Sequence, residues 1–471
     1  MRPPRLALFA ITVVAAALRF STLDLQSFWL DEAYTLHHVR LPFGDMLREV
    51  RNDESTPPLY FALAWLWAKV FGTGEIGLRS LSALLGTATV PLAYAAGARL
   101  VSARVGILMA ALAATNPLLV WYSQEARAYA LLALLCAASF ALFAQALDSP
   151  RPRTLALWAV ASALALITHY FAVFVVAVEA TWLLAARGTR RVVLAAVAGA
   201  AVLGIAALPV ALAQARDLHD RWAAGDPGAV PAHTVADIGK KFLIGESGLG
   251  PFGHHARVAF LLVLVGLVLL VLRAERHERR GAAIALAVGG IAAALPAVLA
   301  VAGFDVLNTR NLIEAWVPLT VVYATGYGAR RAGVVGLLAA GVLVALFTAT
   351  TIHVFADERT QREDWRGLAR VLGPPSLQRL VVVSPSLEQP PLEAYARWLR
   401  PVPPAGDAVE VDVVQLADAP SARAPAGTVS AHVEHVQRLR LTRFRLRGRR
   451  PVTKTQLERV VRGNSVAVLR G

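Results

Sequence analysis

The sequence predicts an all-α polytopic membrane protein of about eleven transmembrane helices, followed by a small C-terminal α/β domain. Three observations carry this: the composition, the length of the apolar runs and the placement of arginine. Apolar residues make up 56% of the 471 and charged residues only 17%. Mean hydropathy is +0.53. Soluble domains carry about 25% charge, so much of this surface does not face water. The apolar runs are roughly 18–22 residues long, enough for a helix to cross about 30 Å of hydrocarbon. A soluble enzyme, a disordered chain and a disulfide scaffold are excluded. Cys136, the one cysteine, cannot form an internal disulfide.

Taken in order, the expected spans lie near 5–23, 80–100, 104–121, 128–147, 154–171, 172–186, 192–213, 257–273, 281–302, 312–329 and 332–352. Arg2 to Arg5 before an apolar stretch resembles a signal peptide, but the run flows into Arg19 and Phe20 with no small-residue cleavage site, so a retained first helix is expected. With the N-terminus cytoplasmic, the inner loops are short and, counting Arg2 and Arg5, this side holds fifteen arginines, among them Arg99, Arg104, Arg151, Arg153, Arg330 and Arg331. The opposite loops are longer and mix both signs, as positive-inside sorting requires. The +15 net charge, from 47 basic and 32 acidic residues, therefore reads as topology, with no nucleic-acid partner. An odd number of spans puts the C-terminus outside.

Three outer regions exceed plain connectors. In the first, about 24–79, the run from Pro57-Pro58 through Trp65 and Trp67 to Lys69 reads as a helix lying in the interface. The second, 214–256, is polar and carries His and Gly. The third is the 119-residue tail, 353–471. There Leu380–Val383 and Val409–Leu416 read as strands and Pro391–Leu399 as a helix. Arg438 to Arg447 alternates with period two and reads as a strand with one cationic face, broken in register around Thr442. It is either a solvated edge strand or a contact for anionic headgroups. The domains are thus 1–352, membrane-embedded, and 353–471, outside.

Four polar sets fall on the outer side, at boundary depth. Phe28-Trp29-Leu30-Asp31-Glu32-Ala33-Tyr34-Thr35 puts adjacent carboxylates beside interfacial aromatics. The plain reading is a helix start with Asp31 as N-cap. The functional reading is a general base with a pKa raised by partial desolvation. Asn116 to Ala130 joins the third and fourth spans and holds Gln124, Glu125, Arg127, Tyr122 and Tyr129 where a tight turn would suffice. It either anchors helix ends or forms a polar site, with Arg127 a natural phosphate ligand. Thr168-His169-Tyr170-Phe171 sits between the fifth and sixth spans, and Asn308-Thr309-Arg310-Asn311 precedes the tenth. Arg310 lies outside against the charge bias, so an anion is expected to hold it there. Glu179 is an intramembrane acid, expected to pair or line a cavity. His37-His38 and His254-His255 point apart on helices, and no metal signature or Gly-rich phosphate loop is present. Acids and arginines at that depth suit a reaction with an anionic lipid.

These motifs resemble the GT-C glycosyltransferases, in the branch of protein mannosyltransferases and lipid A aminoarabinose transferases. Trp29-Leu30-Asp31-Glu32-Ala33 is similar to the acidic motif of their first outer loop, and Thr56-Pro57-Pro58-Leu59-Tyr60-Phe61 to their Pro-Pro-Leu-Tyr segment. Arg79 to Gly86 resembles the start of their second span. Trp121-Tyr122-Ser123-Gln124-Glu125-Ala126-Arg127 with Tyr129-Ala130 is the most specific match. Arg310 with Leu312-Ile313, and Arg362-Glu363-Asp364-Trp365-Arg366, also fit bacterial members. Thr56 departs from the pattern: many members carry a basic residue or His there, often against the donor phosphate, and Arg127, Arg310 or Lys69 are its candidate replacements.

The resemblance implies a sugar donor on a polyprenyl phosphate and a protein, lipid or glycan acceptor. It implies transfer of a hexose, mannose by default, to an acceptor hydroxyl with inversion, at the outer face of the cytoplasmic membrane. Asp31 takes the position of the base, with Glu32 beside it and Glu125 as second acid. Arg127, Arg310, Tyr129, Gln124, His169, Tyr60 and Lys69 are the expected substrate-binding residues. No cofactor is implied, and these residues do not demand a metal. The rival from another class is a transporter or lipid flippase, against which stand the absent inverted repeat and the absence of broken helices in matched positions.

Overall fold

The computed structural model describes residues 3–185, 190–214, 232–245, 253–301, 307–374, 378–403, 406–462 and 465–470. The chain divides into two compact units. One comprises Met1–Leu23 with His38–His353, the other Asp24–His37 with Val354–Gly471. The second thus joins the segment carrying the acidic motif to the tail.

The first unit is helical. Among the described residues, Glu75–Leu100, Tyr129–Asp148, Arg191–Gln214, Gly253–Arg273, Arg276–Val301 and Arg330–Ala356 are long and apolar enough to cross a membrane. Ala103–Thr115 with Pro117–Ser123 makes a seventh, bent by 56°. The expected spans at 154–171 and 172–186 are the shorter helices Pro152–Leu166 and Ala172–Ala185. At about 1.5 Å per residue each is under 25 Å long. The apolar run is interrupted by turns at 167–171, where His169 sits. The expected spans at 5–23 and 312–329 correspond to Pro3–Phe20 and to a 3₁₀ turn, Thr309–Ala315, running into Trp316–Gly328. The interfacial run forms the helix Leu59–Phe71. Of the outer region 214–256, Ala232–Ile244 is helical, while 215–231 and 246–252 lie outside the described residues. Helices Gly253–Arg273 and Trp316–Gly328 approach closely enough that a Cβ on Gly326 would overlap the carbonyl of Gly266, the small-residue packing that draws helices together in lipid.

The bend is written in Asn116-Pro117. Proline has no N–H and its ring crowds the carbonyl four residues back, so the Ala113 carbonyl loses its helical partner. The Arg19 side chain, fully buried, takes over. It donates to the carbonyls of Ala113 and Ala114, both at 2.9 Å, and its Nε lies 3.1 Å from the Ser123 hydroxyl. Asn116 caps the second segment by accepting from the Leu119 N–H at 3.1 Å. A Cβ on Gly86 would overlap the Ser123 hydroxyl, which gives the glycine ending the Arg79–Gly86 motif a packing reason.

The second unit holds a six-stranded sheet in the order β2-β6-β1-β3-β5-β4. The strands are β1 (Arg379–Ser384), β2 (Arg400–Pro401), β3 (Gly406–Leu416), β4 (Thr428–Val436), β5 (Leu439–Val452) and β6 (Ala467–Arg470). β1 and β3 are parallel, and β3 pairs antiparallel with β5. The expected strands at 380–383 and 409–416 lie within β1 and β3, and the expected helix begins at Gln389 and ends at Tyr395. Two readings of the arginine-rich strand need correction. β5 lies between β3 and β4, so it is no edge, and it pairs with β3 without a shift from Leu439 to Arg445. The apparent break at Thr442 is a change of face. Leu439 and Leu441 belong to the core under Trp365 and Leu392, whereas Phe444 and Leu446 belong to the opposite core with Leu457. A strand buried on both sides loses simple alternation. Its arginines consequently lie on both faces: Arg440 caps the Ala417 and Ala419 carbonyls at 3.2 and 2.6 Å, while Arg443 lies 3.7 Å from Asp412 on the other face.

Candidate active site

The candidate residues are distributed over both units.

In the first unit the segment 124–128 is the non-helical link between Pro117–Ser123 and Tyr129–Asp148. It turns because the Arg127 N–H bonds back to the Glu125 carbonyl at 2.8 Å. Glu125 is fully buried and Arg127 nearly so. The Arg127 fork grips Glu54, Nη1 to Oε1 at 2.8 Å and Nη2 to Oε2 at 2.9 Å. His38 Nδ1 stands 3.6 Å from Glu54 Oε1. The Phe61 ring packs beneath both: Arg127 lies over it at 5.4 Å and His38 meets it edge-on. Glu54 was not singled out in the sequence. Its partner lies 73 residues away, so no local spacing signals the pair.

Around Tyr129 three further expected residues meet. Its ring stacks obliquely on His169, centroids 5.9 Å apart, and the Arg310 guanidinium lies over it at 5.9 Å. Tyr122 closes the other side at 4.8 Å. His169 Nδ1 accepts the Phe171 N–H at 3.3 Å. Burial first, then the nearby Arg310 and Arg127 cations, push this imidazole down to about 3. It is thus neutral at physiological pH and presents Nε2–H as a donor. Arg310 opens the 3₁₀ turn, with Asn308 Oδ1 accepting its N–H at 3.3 Å.

Three expected substrate contacts have other employment. The Gln124 amide donates to the Leu18 and Arg19 carbonyls and to Thr22 Oγ1, at 3.2, 3.1 and 2.6 Å. It caps the orphan carbonyls at the end of the first helix. Tyr60 is fully buried, its hydroxyl 3.1 Å from Ser82. Lys69 is exposed at the end of its helix and lies over Trp65 at 4.4 Å. Thr56 is buried and its carbonyl accepts from Gln214 at 3.1 Å. Glu179 finds its partners on two other helices, accepting from Trp158 Nε1 at 2.8 Å and Ser139 Oγ at 3.4 Å. His254 and His255 do not point apart as expected: their rings meet edge-on at 4.4 Å. Among the described residues no three His, Cys, Asp or Glu side chains group as metal ligands.

In the second unit the helix beginning at Leu30 carries Asp31 and Glu32 in its first turn, so Asp31 is not the N-cap. Glu32 is fully buried and pairs with Arg362 at 3.6 Å. The Arg362 guanidinium lies 4.2 Å over the Trp29 ring. Asp31 keeps partial exposure. The Ser27 hydroxyl donates to the Glu363 carbonyl at 2.8 Å and accepts from the Trp365 N–H at 3.0 Å. The Phe28 N–H meets the Tyr395 hydroxyl at 2.6 Å. The two sequence motifs around Trp29 and Trp365 are therefore one local structure. Glu388, partly buried and near Glu363 and Asp31, has its carboxyl pushed up to about 7, mainly by burial.

The fold so built has one unit of long apolar helices and a second, α/β unit. Residues 55–213 match the family model of the dolichyl-phosphate-mannose-protein mannosyltransferases. The crystal structure of ArnT from Cupriavidus metallidurans in the apo state is similar, with a TM-score of 0.60 at 13% identity, covering 92% of this chain and 97% of that one. The same protein bound to undecaprenyl phosphate gives 0.57 at 14% identity, with the same coverage. The Archaeoglobus fulgidus oligosaccharyltransferase in the apo form gives 0.53 at 12% identity, covering 84% of this chain and 64% of that one. No curated protein matches the sequence. The resemblance read from the motifs is thus met by the family match over residues 55–213, and the likeness to ArnT is one of fold. The family match includes Arg127, Tyr129 and His169 but neither Asp31 nor Arg310.

Proposed function

We propose that this chain transfers a hexose, mannose by default, from a polyprenyl phosphate to an acceptor hydroxyl. The observation that carries the reading is the meeting of Tyr129, His169 and Arg310 beside the Glu125–Arg127 turn, all but Arg310 inside the segment matching a mannosyltransferase family. The leaving group is already a phosphate and needs charge neutralisation more than a proton. Arg310 supplies it. Arg127, its fork held by Glu54, adds positive charge and fixes the turn. Neutral His169 donates a hydrogen bond to a sugar or phosphate oxygen. The acceptor oxygen attacks the anomeric carbon as the carbon–oxygen bond to phosphate breaks, which inverts that centre. Asp31, the more open of the paired acids, takes the acceptor proton. Glu32 orients Arg362, and Glu125 is the second acid.

The proposed orientation has the N-terminus in the cytoplasm and the C-terminal unit outside. A reporter active only outside the cytoplasm, fused after Gly471, is expected to be active, and one fused between Arg273 and Arg280 silent. The activity is tested with purified protein and a panel of labelled polyprenyl-phosphate sugars. Consumption of one sugar with release of polyprenyl phosphate is expected, and no turnover of any would overturn the reading. The rival transporter gains one broken span, at Asn116, but among the described residues that bend has no counterpart.

A further inference from the structure

The second unit contains a cavity to which the proposed transfer assigns no ligand. It encloses about 520 Å³ and is lined mainly by polar atoms. Three arginines face it, Arg362, Arg366 and Arg370. Arg366 and Arg370 are one helical turn apart on Trp365–Leu372 and so project from one face, about 5–6 Å apart at Cβ. Arg362 is fixed by Trp29 and Glu32, and Arg366 Nη2 by the Asp24 carbonyl at 2.8 Å. Gln26 and Ser27 also line it, with Gln26 Oε1 accepting the Arg362 N–H at 2.9 Å and the Ser27 hydroxyl held by Glu363 and Trp365. Two acids also line the space. Asp364 is engaged as the helix N-cap, accepting from the Gly367 N–H at 2.9 Å, and Glu358 is exposed. Three arginines thus face two lining acids, with Arg362 countered by Glu32, and two of the three guanidiniums are already held in place, so ordering them on a ligand costs little.

Phe355 and Ala356 complete the lining, and they end the membrane-length apolar helix Arg330–Ala356. Guanidinium forks match phosphate oxygens. We propose that this cavity is a binding site for a phosphomonoester dianion, supplied by a lipid headgroup or by free phosphate. The proposal does not rest on the transferase reading, because its probes carry neither sugar nor polyprenol.

The test is calorimetric titration of the full chain in neutral detergent with dihexanoyl phosphatidic acid, inorganic phosphate and dihexanoyl phosphatidylcholine. Phosphatidic acid is expected to bind and phosphatidylcholine not. If inorganic phosphate binds as tightly as phosphatidic acid, the site stands and its source is a soluble phosphate; weaker binding assigns it to the lipid. Arg370 is exposed, so R370Q leaves packing intact and is expected to weaken binding about threefold to fivefold, the ceiling of an exposed ion pair. R366Q/R370Q is expected to lose about tenfold or more, and E358Q to tighten binding. R370Q is expected to turn over polyprenyl-phosphate donor as the wild type does, which separates failure of this site from failure of the transferase. Equal affinity of wild type, R370Q and R366Q/R370Q for phosphatidic acid, or equal binding of phosphatidylcholine, would overturn the proposal.

Discussion

Removing Glu54 tests what holds the first-unit cluster together. Glu54 and Arg127 are 7% and 5% exposed and share two charge-assisted bonds of 2.8 and 2.9 Å. Glu54→Ala strands a buried guanidinium, and breaking a buried pair costs about 3–5 kcal/mol. Glu54→Gln keeps one acceptor oxygen and is expected to cost about half of that. Arg127→Met leaves Glu54 with His38 at 3.6 Å, a weaker partner, so it is also destabilising. The double variant Glu54→Ala/Arg127→Met removes both charges at once. It is expected to be more stable than the two single losses added together, by about 1.5 kcal/mol or more. Unfolding in mixed detergent, followed by tryptophan fluorescence, measures the three variants, and donor binding is read in parallel with labelled polyprenyl phosphate. Single losses that sum to the double within about 0.5 kcal/mol would show that the pair does not couple. Unchanged stability in Arg127→Met with abolished donor binding would return Arg127 to the phosphate.

Arg310→Ala is expected to cost about 2.7–4 kcal/mol in donor turnover, the usual loss of a well-placed partner to developing charge; Arg310→Lys recovers part of it, and wild-type donor kinetics in the alanine variant would remove the role. Asp31→Asn should lower turnover about a hundredfold or more with donor binding retained, whereas near-normal turnover would hand the base to another acid. Glu32→Gln loosens Arg362 and should be visible as increased hydrogen exchange around Trp365 before it is visible in donor binding. Asp412 is buried, its charged neighbours Arg379 and Arg443 stand at 3.6 and 3.7 Å, and neither oxygen has a hydrogen bond. Burial, reinforced by Glu410 and opposed by the two arginines, pushes its carboxyl from 3.8 up to about 7. The folded state therefore keeps the proton over a range where the unfolded state releases it. The resulting stability, at most a few kcal/mol, is present in full below about pH 4 and lost as pH rises through 7. Asp412→Asn should flatten that slope in hydrogen exchange of β3; an unchanged slope would refute the assignment.

The helical body was legible because lipid imposes a long apolar period that few other environments require. The missed detail lies where the chain breaks that period. Thr168-His169 ends one helix at Leu166 and a second starts at Ala172, so an unbroken apolar run concealed two short helices. In the tail, the strand positions at 380–383 and 409–416 were legible as apolar runs. The arginine-rich strand was misread because alternation reports one buried face, and this strand has two. The site residues divide in the same way. Arg127, Tyr129, His169 and Arg310 stood out as polar groups in apolar surroundings. Glu54, Gln214 and the fixing of Arg362 by Glu32 did not, because each depends on a partner distant in sequence.

That division bears on the different roles proposed for two neighbouring carboxylates. Successive helical residues project about 100° apart, so in the first turn of the helix at Leu30 only one acid can turn inward. Glu32 does so, fully buried against Arg362, which is itself pressed on Trp29. Its charge is balanced and its oxygens are engaged, which suits a positioning residue and not a base. Asp31, one step round the helix, remains partly open. The sequence predicts both acids at the membrane surface. Their division of labour comes from an arginine some 330 residues later in the chain. A base assignment made on Asp31 therefore stands or falls with that arginine's grip on Glu32: were Arg362 replaced by Gln, Glu32 would lose its counter-charge and the first turn would be free to rotate. Arg362→Gln should lower turnover even though Asp31 itself is intact. The double variant Arg362→Gln/Glu32→Gln, with neither charge left unbalanced, should recover part of the loss. Turnover in the double variant no better than in Arg362→Gln would show that Arg362 acts directly on substrate.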